Sequence, residues 1–263
     1  MTIAYDGALF HGWQKQHPPG REPLRTVQGT VEAALVDLLQ QRIHLVGASR
    51  TDAGVHAQGQ VAQFDAATRI PPDRITMAVN ARLPDDVEVL STQEAAPNFR
   101  AINDVESKQY RYRIWNTVRR PLWIRHCVWH CWTRLDIDRM NEAAARLIGT
   151  HDFAAFTTVH HNRTSTVRTI HQCYVTAHAP EVHIVVQGDG FLYNMVRIIA
   201  GTLVEVGRGR FEPSQIDHAI ATGDRRDTGP TLPPQGLILE WIRYPGDPDP
   251  VALLQPVATL DRC

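Results

Sequence analysis

Residues 43–65 read IHLVGASRTDAGVHAQGQVAQFD. Ile43–Ala48 is apolar and predicts a strand; Gln60–Asp65 alternates apolar with polar and predicts a second. Between them the chain becomes small and polar, with one Arg, one Asp and one His spaced by Ala and Gly. Gly54 frees the backbone two residues after Asp52. Working outward, MTIAYDG predicts a strand that ends in an Asp-Gly turn. His11–Arg25 holds three Pro and two Gly and predicts a loop. Thr26 is an N-cap, followed by Val31, Ala34, Leu35 and Leu38 at helical spacing. Pro71 and Pro72 open a helix to about Ala81, and DVEVLS closes this half as a strand. The order β-α-β-β-α-β is the ferredoxin-like arrangement, an antiparallel sheet with helices on one face.

A second half begins between Asn103 and Ser107. KQYRYRIWN (108–116) alternates and is aromatic, a strand, with HCVWHCW (126–132) as its partner. Asp136 caps a helix that runs through Ile148 and stops at Gly149. VRTIHQCYVTAH and VHIVVQG form a hairpin. FLYNMVRIIAGTLVEVG (191–207) is a helix with the stripe Phe191, Met195, Ile198, Thr202 and Val206. A short helix follows Pro213, and LILEWIRY is the last strand. Both halves are α+β. The expected domains are residues 1–104 and 105–245, with a loose, proline-bearing tail over 246–263.

With 43% hydrophobic and 21% charged residues, a chain of 263 residues buries a real core. No run of about 18 apolar residues is present, and the N-terminus lacks the pattern of a signal peptide, so a soluble cytoplasmic protein is expected. Four cysteines (Cys127, Cys131, Cys173 and Cys263) without a C-x-x-C read as reduced thiols. The net charge of −1 is unevenly spread. Lys108–Leu135 carries seven Lys or Arg and no acid, and Phe153–Pro180, with Arg163 and Arg168, again has no acid. Such stretches can bind a polyanion whatever the total charge.

Four features bear on chemistry. TDAG is readable as a simple turn whose Asp bonds nearby backbone. Alternatively, Arg50 and Asp52, two apart, point the same way from the end of a sheet, and the guanidinium keeps the carboxylate ionised, as suits a nucleophile or weak base. In KQYRY, Lys108, Tyr110 and Tyr112 share one strand face, and Arg111 and Arg113 the other. That is either an ordinary core-and-water strand or an aromatic platform beside a basic surface, the combination that stacks bases and tracks phosphates. Arg197 lies roughly 120–140° from the apolar stripe of its helix, either solvated or reaching a buried acid in the other half. His126, Cys127, His130 and Cys131 resemble metal ligands, but alternation separates the His from the Cys and no second pair has zinc spacing. His151, His160 and His161 are weaker still. No phosphate loop, dinucleotide fingerprint, serine elbow or zincin motif occurs, so neither metal nor nucleotide cofactor is expected.

Taken in order, YDGALFHGWQKQ, TVQGTVEAAL, SRTDAGVHAQGQVAQF, VNARLP, KQYRY, LIGTHDFAAF, TVRTI, FLYNMVRIIAGTLVEVG and PPQGLILEWIRYP resemble the tRNA pseudouridine synthase A family to about Pro245. The resemblance implies two ferredoxin-like α+β domains with abutting antiparallel sheets, a homodimer, no metal and no cofactor. It implies conversion of uridine to pseudouridine at neighbouring positions on the 3′ side of the tRNA anticodon stem-loop. By the same resemblance Asp52 is the essential aspartate, Arg50 takes the place of the flipped base, Tyr110 packs on the target uracil, and Arg197 pairs with the aspartate. A non-catalytic RNA-binding protein of the same fold is the alternative. Three departures stand out. Met1 falls inside the first strand, where the family has several more residues. Ile102 stands where the family usually has an Arg, a position the resemblance associates with a phosphate contact. Ser49 replaces a frequent Gly.

Overall fold

The computed structural model describes residues 1–16, 19–20, 22–158 and 165–248. His160, His161, Arg163, Cys263 and the tail beyond residue 248 lie outside the described residues. The fold is α+β, and the chain divides into two compact units. One is Met1–Glu106 together with the stretch from Ile238; the other is Ser107–Leu237.

The first unit has the expected order: β1 (Thr2–Tyr5), α1 (Val27–Leu39), β2 (Val46–Gly47), β3 (His56–Gln63), α2 (Pro72–Asn80) and β4 (Val87–Ser91). Strand β1 pairs antiparallel with both β3 and β4. Helix α1 starts where Thr26 Oγ1 accepts the Gly29 N–H at 3.3 Å, the cap that a helix needs for its unpaired first-turn donors. Ile3, Tyr5, Val31, Leu35, Leu45, Val79 and Val89 are buried in this unit.

The strands of this unit depart from the expected limits. Ile43–Ala48 forms only a two-residue strand, β2, in which Val46 and Gly47 pair with Gln63 and Ala62 at the far end of β3 and the Ala48 N–H donates to the Val61 carbonyl at 2.8 Å. Strand β3 in turn begins at His56, inside the segment read as loop. The reason is a strand from the far end of the sequence. Residues Leu237–Arg243 form a strand whose Ile238 and Leu239 run parallel to His56 and Ala57. That strand is grouped with the first unit, and the sheet is mixed instead of wholly antiparallel.

The second unit contains β5 (Ser107–Trp115), β6 (Trp129–His130), α3 (Ile137–Ala145), β7 (Gly149–Asp152), β8 (Val167–His178), β9 (Glu181–Gly188), α4 (Met195–Gly207) and α5 (Gln215–Thr222). The strand from Leu237 is β10. The hairpin β8–β9 forms as expected, β5 adds to β9, and β7 adds to β8, all antiparallel. The partner of β5 from HCVWHCW shrinks to β6, which runs parallel to it. Asp136 Oδ1 caps α3 by accepting the Arg139 N–H at 3.1 Å, but the helix ends at Ala145 instead of Ile148. Gly149, at φ +118°, opens β7. Helix α4 starts at Met195 and not Phe191, because Asn194 turns left-handed at φ 60°. It is buried at every position except Arg197, as expected of a helix apolar on all sides.

Candidate active site

The loop that carries Arg50 and Asp52 is fixed from several directions. At its start, buried Gln60 of β3 donates Nε2–H to the Ser49 carbonyl at 2.7 Å and accepts the Ser49 N–H at 3.2 Å. In the middle, Thr51 is buried, and its Oγ1 lies 2.8 Å from the Tyr5 hydroxyl. With Thr51 turned inward, Arg50 is exposed and Asp52 half-buried. At its end the Val55 N–H closes a turn on the Asp52 carbonyl at 3.1 Å, with Gly54 at φ +79°, a conformation that a side chain would strain.

A second segment holds this loop in place. The Trp13 N–H donates to the Thr51 carbonyl at 3.0 Å, and the Gly54 N–H donates to the Phe10 carbonyl at 3.3 Å. Gly12 sits at φ +86°, and a Cβ there would come within 2.6 Å of the Thr51 oxygen. The Gly7 N–H donates to His56 Nδ1 at 3.1 Å, just past the loop. This brace is tied to helix α1. The Gln28 N–H donates to the Trp13 carbonyl at 3.0 Å, and the Gln28 side chain, buried, accepts the Lys15 N–H at 2.8 Å and donates to the Leu45 carbonyl at 2.7 Å. The sequence reading missed this role, since glycine and proline over His11–Arg25 signalled only a loop. The available signal was Trp13, a large apolar residue among turn formers, which is fully buried.

Tyr110 and Arg197 belong to the second unit. Tyr110 is buried on β5, edge-on to Phe191 with ring centroids 5.2 Å apart. Its neighbour Tyr112 is fully buried, donates its hydroxyl to the Pro233 carbonyl at 2.7 Å, and is pushed above the ordinary phenol range by burial, against the opposing pull of the Arg197 charge. Helix α4 lies against β5. Arg197 is half-buried: Nε donates to the Leu232 carbonyl at 2.6 Å and Nη1 to Asn194 Oδ1 at 2.9 Å. The simple solvated arginine is therefore the wrong reading of this residue. Arg50 and Asp52 come together in one loop, and Tyr110 and Arg197 on two packed elements.

On the other side of β5 the basic face is partly spoken for. Arg113 makes a two-pronged bond to Glu181, at 2.8 and 2.7 Å, and His183 Nε2 lies 2.9 Å from the same carboxylate. Burial alone would raise the Glu181 pKa; the hydrogen bonds from His183 and Arg113 outweigh it and hold the group at about 2. The His and Cys residues of HCVWHC disperse. His130 Nε2 lies 2.7 Å from the Thr117 carbonyl, Cys131 is buried beside Arg208 at 3.4 Å, and His126 is exposed. Among the described residues no three His, Cys, Asp or Glu side chains stand together as a metal would require. Cys127, Cys131 and Cys173 are free thiols, and burial pushes Cys173 up to about 12.

A family model described as tRNA pseudouridine synthase matches residues 1–102 and 143–245. The chain belongs to the tRNA pseudouridine synthase family, a family of isomerases. It is 42% identical to the tRNA pseudouridine synthase A of Acetivibrio thermocellus over 93% of this chain and 98% of that protein. It is 43% identical to the protein of the same name from Geobacillus kaustophilus, over 92% of each chain. With that of Pelobacter propionicus it shares 44% identity, over 93% of this chain and 98% of the relative. All three relatives are named as synthases, which favours a catalyst over a protein that only binds RNA. No helix among the described residues is long and apolar enough to cross a membrane.

Proposed function

We propose that this protein converts uridine to pseudouridine in the anticodon stem-loop of tRNA, with Asp52 as the catalytic carboxylate. The observation that carries the reading is the aspartate loop: a short turn, half-open to solvent, braced on one side by Gln60 and on the other by Trp13. Catalysis by a single carboxylate needs it held within a fraction of an ångström of its target.

The chemistry explains why one carboxylate is enough. The bond from ribose C1′ to uracil N1 breaks, the base turns, and C1′ joins C5; the C5 proton leaves and N1 regains one. No electrons are exchanged and no donor is consumed. A glycosidase needs a second carboxylate to direct water; here water is kept out. Asp52 attacks C1′ or removes the 2′ proton, and later assists loss of the C5 proton. A uridine within a stem must first leave the stack, and Arg50, exposed at the loop tip, fills the gap. Tyr110 packs on the freed uracil. Arg197 pairs with Asp52 to keep it ionised and aimed; the bonds from Leu232 and Asn194 that fix its side chain support that role. Residues 1–104, joined by the strand from Ile238, and the remainder of 105–245 then act as two domains of one enzyme, which works as a cytoplasmic homodimer on tRNA without metal or cofactor.

The test is pseudouridine mapping on an unmodified tRNA transcript with wild type and Asp52→Asn in parallel. Wild type alone should produce pseudouridine on the 3′ side of the anticodon stem-loop, and Asp52→Asn should bind the tRNA nearly as well while turning over none. Substantial activity in Asp52→Asn sinks the assignment of the carboxylate.

A further inference from the structure

The acid-free stretch 108–135 ends in a surface that the site does not use. Between β5 and β6 the chain exposes Val118 (80%), Leu122 (62%) and Trp123 (87%), and just after β6 it exposes Trp132 (70%). Arg119, Arg120, Arg125 and Arg134 are interleaved with them. The segment is held by polar bonds at both ends. Trp115 Nε1–H donates to the Arg119 carbonyl at 2.8 Å, Asn116 Nδ2 donates to the carbonyls of Cys131 and Thr133 at 2.8 and 2.7 Å, and His130 meets the Thr117 carbonyl. These bonds tie the exit of β5 to the exit of β6. Arg125 Nη1 donates back to the Leu122 carbonyl at 2.8 Å. Among the described residues Arg119, Arg120 and Arg134 have no acidic partner, whereas Arg113 is neutralised by Glu181.

We propose that this surface is a second RNA contact, in which Trp123 stacks on an unpaired base and Arg119 and Arg120 meet phosphates, away from the nucleotide being modified. The proposal rests on the reading of this protein as a tRNA-modifying enzyme. Distance separates it from the catalytic site. Tyr110 and Trp115 are five residues apart on β5, about 16 Å at strand rise. Arg197 and Arg208, which sits over the Trp129 ring, are eleven apart, about 16 Å along a helix. One nucleotide cannot span the distance from Tyr110 to the end of β5, where this surface begins, so in this proposal the base met by Trp123 belongs to another part of the RNA. An exposed indole among unpaired arginines fits a polyanion with free base faces. A second copy of this chain is a poorer occupant, because two-fold pairing would set one cluster of arginines against the same cluster. The surface also falls within residues 103–142, between the two stretches that the family model matches.

The experiment compares wild type, Trp123→Ala, Trp123→Phe and the double variant Arg119→Ala/Arg120→Ala. It measures affinity for a full-length tRNA transcript across salt concentrations, turnover at saturating tRNA, and mass by sedimentation. Trp123→Ala should bind about tenfold more weakly with unchanged saturated turnover, and Trp123→Phe should recover most of that loss, since stacking survives in a smaller ring. The arginine pair should lower the salt slope by about 1 to 2. Unchanged affinity in Trp123→Ala, alongside wild type that makes pseudouridine, overturns this proposal and leaves the catalytic one standing. A fall in mass of the Trp123→Ala variant assigns the surface to a second copy and overturns it too. Wild type that binds no tRNA removes both.

Discussion

At the scale of single residues, the chemistry-bearing side chains were legible and the ones that hold them were not. Asp52 and Arg50 announce themselves because charged residues are rare in so small and neutral a turn. Gln28 and Gln60 do not, since a glutamine in a helix or strand reads as a surface residue; both are buried here, replacing backbone partners for Lys15 and Ser49. Glu181 is a similar case. Composition shows an acid at the start of a strand, but the sequence does not show that Arg113, sixty-eight residues earlier, closes on it. The pairing has a pH signature. The carboxyl of Glu181 is lowered from an ordinary 4.5 to about 2 in the folded protein, so its contribution is complete above about 4.5 and is lost as pH falls towards 2. Glu181→Gln should therefore unfold more easily near neutral pH, by about 2 kcal/mol, and show a shallower loss of stability between pH about 4.5 and 2. Urea melts across that range check it; a parallel shift at every pH would show that Glu181 is not the group that titrates.

At the scale of elements, helix positions were read well and strand limits poorly. Caps and 3.6-residue spacing are local signals, and Thr26 and Asp136 both act as the sequence implies. Strand limits depend on which partner is present. Strand β2 is limited to Val46 and Gly47 by its pairing with β3, and β7 went unread because Gly149, taken as a helix stop, serves a strand start as readily. Helix α4 shows one more non-local constraint. A Cβ at Gly201 would lie 1.8 Å from the Pro230 carbonyl oxygen, and the Gly229 N–H donates to Thr202 Oγ1 at 2.9 Å. The segment crossing α4 here leads to Leu232, whose carbonyl fixes Arg197. Gly201→Ala should push that crossing away, lowering the melting temperature and, at a temperature where the variant is still folded, cutting turnover at least tenfold. The backbone displacement loosens Arg197, and small misplacements near a reacting centre are costly. A folded variant with full activity would show that Leu232 does not position the arginine.

At the scale of the whole molecule, the chain folds its last strand into its first unit. The sequence reading assigned LILEWIRY to the second half because it is adjacent there, and neighbours in sequence usually pair. The pattern of alternation carries no address: a buried strand looks the same whichever sheet receives it. Two features recorded the true destination only after folding. Leu239 is fully buried and pairs with Ala57 in a stretch that ends more than 130 residues earlier, and the Tyr244 hydroxyl donates to the Ala101 carbonyl at 2.7 Å. This topology predicts how the protein can be divided. A fragment of residues 1–106 would leave His56 and Ala57 at an open sheet edge and expose the apolar surface that Leu239 covers, which favours edge-to-edge association. It should be poorly soluble or unfold without a cooperative transition. The same fragment joined through a flexible glycine-serine linker to residues 238–248 should melt more cooperatively than residues 1–106 alone, because β10 then returns to β3 as in the intact chain. Circular dichroism melts and sedimentation of the two fragments decide the matter. Cooperative folding of 1–106 alone would mean that β10 is an accessory strand and that the contiguous first half suffices to hold the Asp52 loop.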